Sequence, residues 1–205
     1  MGSIFATFSV APLLVRLGAP QILISLLFFV VQALVLRAFS QTKFRLYFSL
    51  SVLIPAVCAN AFFIISDSEQ STLFFFLATT VFLAYATFFL LKDIFTTSTV
   101  NTHTLLNAIS AYLLIAIIGA MIHGLIAFFN PESYNFIGVA NTRSDIYELM
   151  YFSVATLTTL GYGDYLPLSE IAKSFVAIEA LIGQIYLAVI IARLVGLHTS
   201  NSHPS

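Results

Sequence analysis

Hydrophobic and polar positions alternate along this chain in long blocks rather than residue by residue. Apolar runs fall at about 20–38, 46–66, 71–91, 104–129 and 169–197. Each is close to or above the ~20 residues that a helix needs to cross a hydrocarbon layer. Polar breaks separate them: "RAFSQTKFR", "SDSEQS", "KDIFTTSTVNTH" and a long stretch from 130 to 145. A shorter apolar piece, "IYELMYFSVATL" at 146–157, lies between the last two runs. As a helix it would be about 18 Å long, too short for a core of about 30 Å. It must dip in and return, or lie flat. Asp145 precedes it and Glu148 follows three positions on, the spacing of a capping box. Residues 4–15 are apolar but short, contain Pro12, and follow a start without Lys or Arg. A signal peptide needs a basic leader there, so residues 1–19 read as an interfacial or partial helix. The pattern predicts an all-α integral membrane protein with five transmembrane helices, that N-terminal piece, and a re-entrant segment between the last two spans.

Composition sharpens this. Of 205 residues, 60% are hydrophobic and 8% charged, against about 25% charged in a soluble domain; mean hydropathy is +0.99. The net charge of −1 offers no basic face for nucleic acid. Cys58, the single cysteine, rules out an intrachain disulfide or a cysteine metal cluster. With alternating spans, Arg37, Lys43, Arg45, Lys92 and Arg193 fall on one side, and Arg16, Arg143 and Lys173 on the other. The more basic side is expected to be cytoplasmic, which puts the tail inside and residues 130–168 outside. No span carries the recurring arginines of a voltage sensor.

The strip "TLTTLGYGD", 156–164, is polar and glycine-punctuated in a chain built for lipid. Non-helical backbone is tolerated at membrane depth only where it is buried in protein or lines an aqueous path. Gly161 and Gly163 can take positive φ without a Cβ clash, and alternating handedness would turn successive carbonyls to one side. Four chains around an axis would then stack rings of oxygens able to replace a cation's hydration water. The short helix would aim its partly negative C-terminal end at the same place.

"TTLGYGD" resembles the potassium-channel signature, with Leu160 where Val is usual. The resemblance covers about residues 104–197: outer helix, pore helix, filter and inner helix. It implies a homotetramer in membrane lipid, with a potassium filter of Thr159, Leu160, Gly161, Tyr162 and Gly163. The ion would be held at Thr159, Leu160, Gly161 and Tyr162. Filter support falls to Tyr151, Phe152, Ala155, Thr158 and Asp164, with Tyr162 wedged against Tyr151 and Phe152. Many relatives place a glutamate at the position of Ala155 to brace the filter acid, so Asp164 is expected to lack that partner and inactivation to differ. Gly183, nineteen positions after Asp164, matches a hinge glycine, though helix packing also uses glycine. Gln184, Leu187, Ile191 and Val195 match the cavity or gate, and Pro167 is expected to open the inner helix. The upstream spans resemble the additional helices of small bacterial ion-channel proteins. The domains expected are therefore residues 1–19, peripheral helices 20–103, a pore domain 104–197 and a short cytoplasmic tail 198–205, in a plasma membrane of bacterial inner-membrane type.

Other polar residues fit around this frame. Glu179 is a carboxylate inside a span, expensive there and functional by default. It lines the path below the filter, binds behind the filter, or is a satisfied structural acid hydrogen-bonded to a neighbouring helix or filter segment. His123 reads as a packed, singly bonded ring, and Asn60 and Gln32 as helix glue. Glu132 and Asp145 belong to the outer loop. His123 and Glu179 are the ionisable groups deep in the spans, and neither sits in a His-Glu-x-x-His pattern. No enzyme is expected. Passive ion conduction, potassium-selective or nonselective, is the expected function, and a nonconducting scaffold is the alternative.

Overall fold

The computed structural model describes residues 43–66, 68–98, 101–136 and 145–202. The expected first span at 20–38, residues 1–19, Arg16, Gln32, Arg37 and Arg143 lie outside them, as does the side chain of Asp145. Five α-helices are present among the described residues: α1 (Lys43–Ile65), α2 (Glu69–Thr96), α3 (Thr102–Phe129), α4 (Asp145–Leu157) and α5 (Glu170–Ser202). A 3-10 turn, Pro131–Ser133, follows α3. There is no strand among the described residues; Tyr134 and Pro167 form one isolated antiparallel bridge.

Among the described residues three helices are long and apolar enough to cross a membrane: Glu69–Thr96, Thr102–Phe129 and the Glu170–Leu197 part of α5. The expected span at 46–66 corresponds to α1, whose apolar part, Ser49–Ile65, is shorter. The helix ends follow local chemistry. Ser68 caps α2 by accepting from the Ser71 amide at 3.2 Å, and Asn101 caps α3 by accepting from Thr104 N at 2.9 Å, each satisfying an amide that has no partner inside its own helix. α5 opens later than expected, at Glu170 rather than at Pro167, because Pro167 is engaged in the bridge to Tyr134. Ser169 then supplies the cap, accepting from Ala172 N at 3.2 Å.

α2 packs between α1 and α3, and α3 also carries α4 and α5. The buried face of α2 includes Phe75, Thr79, Phe82, Ala86, Leu90 and Ile94, spaced three or four apart. Phe63 of α1 stacks on Phe75 with centroids 4.5 Å apart. α3 meets its neighbours mainly through small residues, among them Ala108, Ala111, Ala116, Gly119 and Ala120. Small side chains let helix backbones approach closely where lipid offers no hydrophobic drive. α5 is the least covered spanning helix: 22% of its apolar window is buried, against 44% for α2 and 50% for α3.

Candidate functional site

The site is the strip that follows α4. Thr159, Gly161 and Gly163 have positive φ, at 58°, 49° and 80°, while Leu160 and Tyr162 between them do not. Only glycine adopts this region freely, and a β-branched threonine there is strained unless its surroundings impose it. The surroundings are the end of α4. Thr159 N donates to Thr156 O at 2.9 Å, and Ala155 O accepts from both Leu160 N at 2.8 Å and Gly161 N at 3.2 Å. Ala155 is buried and supports the strip through its carbonyl. Residues Thr158 to Asp164 are all exposed in the single chain.

The far end of the strip is tied down by side chains. Tyr151 of α4 donates its hydroxyl to Asp164 Oδ2 at 2.8 Å, and Tyr165 N donates to Asp164 Oδ1 at 3.1 Å. Ala155 leaves Asp164 without the glutamate partner, as expected, and the Tyr151 hydroxyl engages its carboxylate instead. Tyr165 donates to Glu148 Oε2 and stacks on Phe136 at 4.2 Å. The hydrogen bond to Glu148 lifts the Tyr165 phenol above its ordinary range, with burial adding to it. Asn135 clamps the same corner, donating to Asp164 O at 3.2 Å and accepting from Leu166 N at 2.7 Å. Tyr162 is 71% exposed in the single chain. Phe152 joins the rings of His123, Tyr134 and Phe136. Thr158 returns its hydroxyl to Val154 O at 2.7 Å.

On α5, Gln184, Leu187, Ile191 and Val195 form one exposed stripe, and Gln184 Nε2 reaches Thr159 Oγ1 at 3.4 Å. Gly183 is buried and flanks this stripe on an unbroken helix. A Cβ added there would stand 2.0 Å from the Leu157 carbonyl oxygen. Of the two uses expected for it, close packing of α5 on the end of α4 has direct geometric support.

Residues 108–199 match the family model described as Ion channel. The match runs from within α3 through α4 to near the end of α5, and supports an ion-channel pore in this part of a membrane protein. No curated protein and no solved structure matches the chain.

Behind the strip lie contacts that sequence reasoning missed. His123 uses both ring nitrogens: Nδ1 is 2.6 Å from Tyr134 OH and Nε2 is 2.8 Å from Glu179 Oε2. The single bond expected of it is therefore corrected to two. Glu179 is buried against α3 and α4, away from the exposed stripe of α5. Tyr112 donates to Leu157 O at 3.2 Å and Tyr186 to Ala108 O at 2.6 Å. Arg193, counted only as a cytoplasmic charge, donates to Ile94 O at 3.0 Å, Phe95 O at 2.6 Å and Thr97 O at 2.9 Å. These carbonyls end α2 or follow it, where helical partners run out and a cation is favoured. Among the described residues no group of three or more His, Cys, Asp or Glu side chains is placed to hold a metal.

Proposed function

We propose that this protein is a potassium-selective channel that conducts passively through a homotetrameric filter. The observation that carries the reading is the alternation of positive φ at Thr159, Gly161 and Gly163 directly after a short helix. With that backbone, the carbonyls of Thr159, Leu160, Gly161 and Tyr162 can replace water around a cation once four copies surround one axis. The exposure of the strip and the low coverage of α5 in a single chain are what such an assembly requires. α4 is then the re-entrant pore helix, and α3 and α5 are the outer and inner helices. The stripe of Gln184, Leu187, Ile191 and Val195 lines the cavity and gate, in a bacterial-type plasma membrane with the C-terminus cytoplasmic. The protein's role is transport without catalysis, and its partners are its own copies and lipid.

Purified protein in liposomes tests this. Potassium flux is expected, with reversal potentials in mixed sodium and potassium set by potassium, and Gly161→Ala is expected to abolish it. A Cβ at a φ of 49° strains the backbone that presents the carbonyls. Equal permeability to sodium would replace the selective reading with a nonselective cation channel. Vesicles that stay impermeable would leave a nonconducting scaffold.

A further inference from the structure

Four polar side chains from four segments meet behind the pore helix: His123 of α3, Tyr134 of the following loop, Ser153 of α4 and Glu179 of α5. All are buried, and the rings of Phe152 and Phe175 pack against the imidazole, each with its centroid 4.9 Å away. Counting protons along the chain of contacts assigns them. Ser153 Oγ lies 2.6 Å from Ala116 O and 2.5 Å from Glu179 Oε1. A carbonyl only accepts, so the single serine proton goes to Ala116 O. The contact to Glu179 Oε1 then needs a proton from the carboxyl. Glu179 Oε2 accepts from His123 Nε2–H, and His123 Nδ1 accepts from the Tyr134 hydroxyl.

Every donor then points the same way, from Tyr134 through His123, Glu179 and Ser153 to Ala116 O, and no group is charged. The alternative, an imidazolium beside a carboxylate, satisfies fewer groups. One serine proton would have to serve two oxygens, and the Tyr134 hydroxyl would face an N–H. It would also bury two charges, whose desolvation their attraction need not repay. No space is spare: a Cβ added at Gly119 would lie 1.9 Å from Glu179 Oε1 and 2.5 Å from Ser153 Oγ.

We propose that Glu179 is a protonated, uncharged carboxylic acid that latches the pore helix α4 between α3 and α5, and thereby holds the strip Thr159–Gly163 in its conducting form. This rests on the channel reading. The link to the strip is short: Ser153 is two residues before Ala155, whose carbonyl holds the Leu160 and Gly161 amides. Glu179 is a positioning residue, since it acts through α4 and touches no ion.

Glu179→Gln separates this from a charged pair. A glutamine amide reproduces the pattern, its oxygen accepting from His123 and its NH2 donating to Ser153. Glu179→Gln should keep the wild-type unfolding temperature and sustain flux within about twofold, whereas Glu179→Ala and Ser153→Ala should lose sustained flux about tenfold faster, the scale of leaving one buried donor unpaired. The infrared spectrum of wild type minus Glu179→Gln should contain the C=O stretch of a protonated carboxyl at neutral pH. Absence of that band, or a Glu179→Gln protein as unstable as Glu179→Ala, would overturn the assignment. Flux in Ser153→Ala that lasts as long as in wild type would overturn the latch. A wild type that passes no ion would sink the channel reading and the latch's effect on conduction, while the infrared band and unfolding temperatures would still judge the protonated acid.

Discussion

Gly183→Ala sets the packing use of this residue against the hinge use. In an ordinary helix interior the change stabilises by about 0.5–1 kcal/mol, because glycine loses more backbone freedom on folding. At Gly183 the new methyl would stand 2.0 Å from the Leu157 carbonyl oxygen, where ordinary contact begins at 3.4 Å. That oxygen is backbone, and it also accepts from Tyr112, so it has no rotamer by which to escape. α5 or the end of α4 must shift by about 1.4 Å at this point, the gap between those two distances. Overpacking of this kind costs roughly 1–3 kcal/mol, which outweighs the entropic gain. The unfolding temperature in detergent, followed by tyrosine fluorescence or circular dichroism, should fall by several degrees, at about 2–4 °C per kcal/mol for a chain of this size. Gly196→Ala is the matched control: same helix, same substitution, nothing within 4 Å of the added carbon. It should be neutral or slightly stabilising. Because Leu157 directly precedes the strip, Gly183→Ala should also lower sustained flux. Were it to unfold at the wild-type temperature and only slow the opening of the channel, Gly183 would be a hinge and the steric argument would fail.

Two further predictions concern single contacts. Tyr151→Phe keeps the ring that packs edge-on against Tyr165 but removes the donor to Asp164 Oδ2. It should leave the unfolding temperature unchanged and reduce the ratio of sustained to initial flux, and an unaltered ratio would show that the tyrosine does not brace the strip. Arg193→Gln removes most of the donors that satisfy Ile94, Phe95 and Thr97 carbonyls. Charge-assisted hydrogen bonds are worth about 1.5–3 kcal/mol, so the amides of Thr97, Thr104 and Leu105 should exchange with deuterium about tenfold faster or more, while those in the middle of α3 stay protected. Equal protection throughout would mean that α2 ends without help from α5.

Much of the architecture was legible because long apolar blocks report membrane spans directly. Hydropathy located α2, α3 and α5, and the limits of the short apolar piece placed α4 within a residue at either end. The glycine spacing pointed to alternating backbone handedness at 161 and 163. Thr159 was expected to help hold the ion, and its positive φ had no signal: threonine avoids that region, and the carbonyls at the end of α4 help to hold the backbone there. The start of α5 was misplaced because a proline after a loop reads equally well as a helix opener or as part of an extended segment.

Side-chain partners were the part that sequence could not reach. α2, α3 and α5 are apolar nearly all round, so periodicity does not say which face of each meets another helix. Asp164 and Tyr151 are close in sequence, but an acid and a phenol thirteen positions apart carry no pattern. His123 and Glu179 lie 56 positions apart, and Arg193 lies 96 or more from the carbonyls it caps. The cost of polar atoms in lipid nevertheless accounts for the partners of five side chains. Tyr112, His123, Ser153, Glu179 and Tyr186 are each dear to bury, and each ends on a specific atom of another segment. Four of the five reach α4 directly or through one intermediate, and the fifth, Tyr186, pins α5 to α3 beside Tyr112. A helix of 13 residues surrounded by apolar neighbours would be free to slide, because dispersion contacts are nearly indifferent to a shift along its axis. Directional hydrogen bonds are not indifferent, and they gather behind the one segment whose position sets the backbone of the strip.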